Sequence, residues 1–253
     1  MENKFVSVIM PVYNSFEYLT ESVNSILKQT HENFEFLILN DCSMDKRVDK
    51  LINDMKKQDS RISYYVSEKN FGVTRSLNLL LGLAKGEIIF RQDSDDISEL
   101  NRLEEQLNYF QLHSDAGATC TISNKVDKNS KLIGKSEYFR ELGTILQNEN
   151  PVVHGSVAFR KDVLKKIGIY DDRFPICQSY EMWRRINKYS KMDMLNKCLY
   201  SIRKHQDSYT AVNLSDNLKA RKIIMNLKDE EIKKIDNFGF YQKYSKMLVD
   251  KIS

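Results

Sequence analysis

The chain has 253 residues, of which 41% are hydrophobic and 29% charged, with a formal net charge of +4. That is room for one large domain, or one domain with an appendage, and an ordinary globular balance that excludes collagen-like and low-complexity classes. The modest positive charge does not call for a nucleic-acid partner, though it suits anionic ligands or an anionic membrane surface.

No apolar run approaches the roughly 18 residues that a membrane helix needs. Met1-Glu2-Asn3-Lys4 leads straight into a strand-like segment with no secretory apolar region, so a cytoplasmic protein is expected. The four cysteines, Cys42, Cys120, Cys177 and Cys198, have neither zinc-type nor redox-type spacing and read as reduced thiols.

Taken in order, Val6 to Met10 reads as a buried strand stopped by Pro11. Leu19, Val23, Ile26 and Leu27 recur at helical spacing, Phe34 to Leu39 is a second strand, and Val48, Leu51, Ile52 and Met55 mark a second helix. Ile62 to Val66 is a third strand. Leu77, Leu80, Leu81 and Ala84 mark a third helix closed by Gly86, and Glu87 to Arg91 is a fourth strand. Strand–helix alternation of this kind implies βαβ units and a mostly parallel sheet. The second half is less regular: a helix on Leu100, Leu103, Leu107 and Phe110, a strand at 118–123, and a short strand at 156–159. A helix at 162–167 follows, then another carrying Tyr180, Trp183 and Ile186. Beyond about Leu214 the sequence becomes Lys-rich and helical. Leu214, Leu218 and Leu227 fit one amphipathic face there, and Tyr241, Tyr244 and Leu248 another. Such a tail packs on the domain, joins a second copy, or lies on a membrane surface as a basic amphipathic helix.

The polar motifs all fall at strand ends: Tyr13 and Asn14 after the first, Asn40, Asp41 and Asp45 after the second, Asn70 and Gly72 after the third, and Asp93-Ser94-Asp95-Asp96 after the fourth. In an open parallel sheet, ligands bind at the carboxyl ends of the strands. Two carboxylates two residues apart can hold one hard divalent cation, and that charge lets an acidic site accept a diphosphate. The plain alternative for the acidic motif is a solvated turn that caps the next helix.

These segments together resemble the inverting GT-A glycosyltransferases of family 2. The matching segments are Val6–Asn14, Leu39–Asp45, Asn70-Phe71-Gly72 with Arg75 and Asn78, Gly86–Asp96, Gly155–Arg160 and Tyr170-Asp171. The resemblance spans roughly the first 210 residues. It implies a Rossmann-like α/β domain over 1–213, with a nucleotide-sugar half at 1–97 and an acceptor half at 98–213, followed by a helical tail at 214–253. It implies a UDP-sugar donor, a glycan or lipid-linked acceptor, and Mn²⁺ or Mg²⁺. By the same resemblance Pro11, Val12, Tyr13 and Asn14 line the uracil and ribose pocket, and Asp41 accepts from the uracil N–H. Asn70, Arg75, Asp93 and Ser94 meet the rest of the donor, while Asp95, Asp93 and His205 hold the metal. Read plainly, Asp41 and Asp45 cap helices, Arg75 is a solvated surface residue and His205 a structural one. His154 either faces the acceptor or packs.

One position departs from the family pattern. The family's general base opens a helix written Asp-Tyr-Asp-Leu-Trp, whereas here Gln178-Ser179-Tyr180-Glu181-Met182-Trp183 puts Ser179 in its place. A serine hydroxyl is not basic near neutral pH without its own activator. Three accounts stand open: Glu181 substitutes, the chain binds donor without turnover, or serine has been put where the parent sequence has aspartate. Bacterial surface-polysaccharide transfer is thus the leading expectation and a donor-binding pseudoenzyme its rival. A nucleotidyltransferase stands third, because no glycine-rich basic loop follows the first strand.

Overall fold

The computed structural model describes residues 4–206, 208 and 214–226. Strands β1 (Val6–Val12), β2 (Phe34–Asn40), β3 (Ile62–Val66) and β4 (Ile88–Arg91) alternate with helices α1 (Phe16–Leu27), α2 (Arg47–Gln58) and α3 (Val73–Leu83). These strands pair only in parallel, in the order β3-β2-β1-β4. Their near-continuous apolar sequences follow from this, because a parallel sheet covered on both faces must be apolar on both. In β1, Val8, Met10 and Val12 enter one core beneath α1 and α2, while Ile9 enters the other beneath α3.

The chain winds outward from β1 to β3, then α3 carries it back across to β4 on the other side of β1. That reversal opens a crevice at the carboxyl ends of β1 and β4, where ligands of open α/β sheets bind. Register brings the ends level: Val12 pairs with Asn40, and Ile9 with Arg91.

Antiparallel pairing enters only in the second half. There β5 (Ile97–Ser98), α4 (Arg102–Leu112), β6 (Ala116–Val126), β7 (Leu132–Lys135), α5 (Leu142–Ile145), β8 (Ala158–Arg160), α6 (Val163–Ile167), α7 (Gln178–Tyr189) and β9 (Lys191–Arg203) extend the sheet as β4-β8-β6-β9-β5, with β7 on β6. A single 3₁₀ turn, His154–Ser156, replaces the start of the strand expected at 156. β9 has no counterpart among the expected elements, yet it is the longest strand described and pairs in parallel with β6.

Of the tail, helix α8 (Leu214–Met225) is described. Its Ile224 is fully buried in the core shared with α7, and Arg184 of α7 donates to the Ile224 carbonyl. Burial of one such side chain is worth about 1.5–3 kcal/mol. Leu218, expected on the packing face, is 53% exposed, so Ile224 rather than Leu218 is the anchor. The expected second face, on Tyr241, Tyr244 and Leu248, lies outside the described residues, as does Leu227. Among the described residues no helix is long and apolar enough to cross a membrane.

Candidate active site

Hydrogen bonds sew the four strand-end loops into one edge. The Asn14 N–H donates to Ser43 Oγ at 3.0 Å, and Asn14 Oδ1 accepts from the Met44 N–H at 2.9 Å, joining the loops after β1 and β2. Asn14 takes φ 51° to do this, a left-handed conformation that Asn tolerates better than most residues. Ser15 Oγ donates to Ser94 Oγ at 2.7 Å, bringing in the loop after β4. Asp41 reaches the loop after β3: its carboxylate accepts from the N–H groups of Phe71 and Gly72, each at 2.8 Å, and from Ser67 Oγ at 3.1 Å. Asn70 Oδ1 accepts from the Gly72 N–H at 3.0 Å.

Asp41 thus braces the loop that leads into α3, some thirty residues on in sequence, rather than capping a helix. Asp45 caps α2 locally, accepting from the Arg47 N–H at 2.9 Å, and the Arg47 guanidinium beside it holds its carboxyl below the usual range. Pro11 and the buried Val12 form the floor beside these loops, and Tyr13 stands 48% exposed above it. Arg75 is also exposed, with its Nε 4.0 Å from Asp172 Oδ2.

The acidic motif is deeply built in. Asp93 Oδ1 accepts from Arg91 Nη2 at 2.5 Å. Arg91 is fully buried and spends its other guanidinium N–H groups on the Ile9 and Gln92 carbonyls and on His154 Nε2. Burial raises the Asp93 carboxyl above its usual range, against the opposing pull of Arg91. Asp95 Oδ2 lies 2.9 Å from His205 Nε2, so residues 110 positions apart meet at the ends of β4 and β9. Tyr18, at 4.9 Å between ring centroids, and Arg203, stacked 4.6 Å above the Tyr18 ring, wall this pair. His205 Nδ1 is buried without a partner among the described residues.

Asp96 turns inward. It accepts from the Arg203 N–H at 2.8 Å, and burial first, then Asp95 and Asp93, pushes its carboxyl well up. The acidic motif is therefore not a solvated turn. Behind it, Gly155 touches the same group: a Cβ there would come within 1.9 Å of Tyr200 Oη and 2.8 Å of Asp93 Oδ2. Only glycine lets the chain pass so close.

Among the described residues no three His, Cys, Asp or Glu side chains converge as a ready metal cluster. The chemistry of the donors nonetheless fits a hard cation. One or two carboxylates completed by substrate phosphates is how Mg²⁺ is commonly held, and imidazole is an accepted Mn²⁺ ligand.

On the other wall, α7 packs Trp183 edge-on against His154, with ring centroids 5.6 Å apart, and against Tyr170. His154 Nε2 also lies 2.9 Å from Tyr170 Oη, and burial, then Arg91, holds the imidazole well below its usual pKa, hence neutral. His154 is a packing residue in this cluster. Half-buried Ser179 sits one turn before Trp183, on the same side of α7. Glu181 does not share that side. It is bound to the fully buried Arg185 through both carboxylate oxygens, each at 2.6 Å, and Arg185 goes on to the Ile167 and Ile169 carbonyls. A carboxylate fixed in a structural ion pair is not offered to an acceptor hydroxyl, which argues against Glu181 as the substitute base.

The family model described as glycosyl transferase family 2 matches residues 7–168, well over half of the chain. The chain belongs to glycosyl transferase family 2. A glycosyltransferase of Methanocaldococcus jannaschii is 32% identical over 217 residues, covering 83% of this chain and 74% of its own. The O-antigen biosynthesis glycosyltransferase WbnJ of Escherichia coli is 31% identical over 208 residues, covering 80% and 81%. Among solved structures, S. aureus TarS residues 1–349 with UDP superimposes with TM-score 0.66 at 20% identity, over 90% of this chain and 68% of that one. The mannosyltransferase PcManGT of Pyrobaculum calidifontis, with GDP-Man and Mn²⁺, gives TM-score 0.66 at 14% identity, over 98% and 74%. These likenesses bear out the GT-A fold, and the transferase is an enzyme of the sugar-transferring class. The matched family stretch ends before α7 and before His205, so the two positions that depart from or extend the motif series lie beyond it.

Several residues that complete the site carried no assigned role in the sequence. Arg91 was legible as a charge inside an apolar strand. Arg203 stands beside His205 and bonds to the Asp95 carbonyl at 2.9 Å. Buried Arg102 ties the Gly155 and Arg91 carbonyls together, each at 2.7 Å, and burial brings its pKa down to about 10. Tyr200 and Arg102 left no local signal, because their partners are distant in sequence.

Proposed function

We propose that this transferase moves a sugar from a UDP-sugar to a glycan or lipid-linked acceptor, with inversion and with the help of Mn²⁺ or Mg²⁺. The observation that carries the reading is the Asp95–His205 pair, 2.9 Å apart at the crevice edge, with Asp93 beside it. Asp95 and His205 are the residues that would hold the cation, with Asp93 facing the same edge. The bound cation would supply charge that stabilises the leaving diphosphate.

The remaining work falls to the protein. Tyr13 offers an exposed ring face for a base, and the Asn14–Ser43–Met44 clamp and the Asp41-braced loop shape the pocket around it. Asp41 keeps lone-pair capacity beyond its three present bonds, which leaves room for a nucleobase N–H. Neighbouring folds carrying UDP, UDP-GlcNAc, or GDP-Man with Mn²⁺ support a nucleotide-sugar donor. The O-antigen role printed for WbnJ supports a polysaccharide setting.

The acceptor hydroxyl must lose a proton as its oxygen attacks the anomeric carbon. Ser179 stands where a carboxylate would take that proton, and Glu181 is committed to Arg185. That pairing specifically favours a second reading, in which the chain binds donor and turns it over slowly or not at all. UDP release from a panel of UDP-sugars with Mn²⁺ tests both, comparing the chain with Ser179→Asp. We expect the variant to gain about 10²–10⁴-fold, the usual worth of a general base. Equal and robust release from both proteins would show that another group moves the proton.

A further inference from the structure

Far from the crevice lies a cleft of about 780 Å³ that the transfer reading does not use. Its walls are the start of β9, the outer side of α4, and α5 with the loop before it. Strands β6 and β9 run in parallel from this cleft to the crevice: Ala116 pairs with Lys191 at one end and Val126 with Arg203 at the other. At about 3.3 Å per residue, Lys197, the nearest lining residue on β9, is about 20 Å along the strand from Arg203. The cleft is therefore separate from the donor edge.

Its charge is balanced. Glu105, Glu141 and Asp193 face Arg140, Lys191 and Lys197. Lys191 Nζ lies 3.1 Å from Asp193 Oδ2, and Lys197 Nζ lies 2.5 Å from Glu105 Oε2. An anion such as a nucleotide or phosphate would find no surplus cation here and would have to break pairs already made. The rest of the lining suits a neutral, hydroxyl-rich molecule. Asn108, Gln147 and Asn196 each present both a donor and an acceptor. Tyr138, 41% exposed, offers an aromatic face, and Leu112, 81% exposed, supplies apolar surface. The cleft is preformed: Asn187 of α7 donates to the Gly143 carbonyl at 2.8 Å, and a Cβ at Gly143 would come within 2.6 Å of Asn187 Oδ1, so α5 sits tight on α7.

Apolar platforms edged by amides, in a volume fit for a ligand, match a saccharide, whose rings carry C–H faces and a belt of hydroxyls. We propose that this cleft is a second, saccharide-binding site that takes a short neutral oligosaccharide away from the transfer edge. That the bound glycan is the acceptor or product chain rests on the transfer reading; that the cleft binds saccharide does not.

Saturation-transfer NMR on the full chain tests it, with cellotetraose, maltotetraose and tetraacetylchitotetraose at millimolar concentration. At least one should receive saturation. Tyr138→Ala and Gln147→Ala, both at exposed positions, should each weaken that binding about tenfold, and saturating UDP with Mn²⁺ should leave it in place. Three outcomes overturn the proposal: none of the three sugars binds, binding survives in both variants, or UDP displaces the sugar. If the sugar binds and depends on Tyr138 while UDP fails to bind, the cleft stands and the transfer reading falls.

Discussion

Asp93, Asp95 and Asp96 sit almost side by side in sequence and do three different things. Asp93 is held by Arg91, Asp95 faces His205, and Asp96 is buried against the Arg203 N–H. Only Asp95 has its carboxylate shared with a residue that could leave it for a cation. Asp95→Ala should therefore abolish Mn²⁺-dependent UDP binding in calorimetric titration, and unchanged affinity would remove the metal from the proposal. Glu181 makes the opposite point, since a carboxylate in a catalytic-looking stretch is here a strut. Removing one partner of a buried pair commonly costs about 3–5 kcal/mol, because it strands the other charge. Glu181→Ala should lose stability on that scale in urea unfolding, leaving Arg185 without its counter-charge. A stability loss near zero would free Glu181 for chemistry.

At the level of elements, the first four strands and three helices were legible because each has one clear period and punctuated ends. β9 was not. Its buried positions run Met192, then Met194 and Leu195, then Leu199 to Ser201, then Arg203, and the β6–β9 register shifts between Thr121 and Ile122 and again before Ser123. The second shift adds one residue on β9 and so turns its side chains to the opposite face, which breaks the alternation that betrays a strand. Helix α8 shows a related limit. Leu218, expected on its packing face, is exposed, and only contact with α7 picks out Ile224. Ile224→Ala should cost about 2–5 kcal/mol of local docking. Hydrogen exchange should then quicken across α8 while the β1–β4 amides keep their protection. Unaltered exchange in α8 would show that some other contact holds it.

For the whole molecule, stability should fall on the acid side through His154. Its folded pKa lies well below 6.5 because the ring is buried beside Arg91. Above pH 6.5 the ring is neutral in both states and contributes no slope. Below it the unfolded chain takes up a proton that the folded chain refuses, so stability drops with pH by at most about 1.4 kcal/mol per unit. Replacing His154 with Gln should flatten that limb of the denaturation profile, and an identical limb in both proteins would assign it elsewhere.

The sequence by itself determined the α/β alternation, the family and the strand ends where the chemistry gathers. Those depend on short-range periodicity and on motifs written within a few residues. Tertiary structure alone decided what each polar group meets. Asp41 braces the loop before α3, Asp95 finds His205 across 110 positions, and Glu181 is taken by Arg185. The reason is physical: a carboxylate's role is set by which charge or N–H the packed chain brings within about 3 Å of it. Sequence fixes a partner's distance along the chain, whereas only folding fixes it in space.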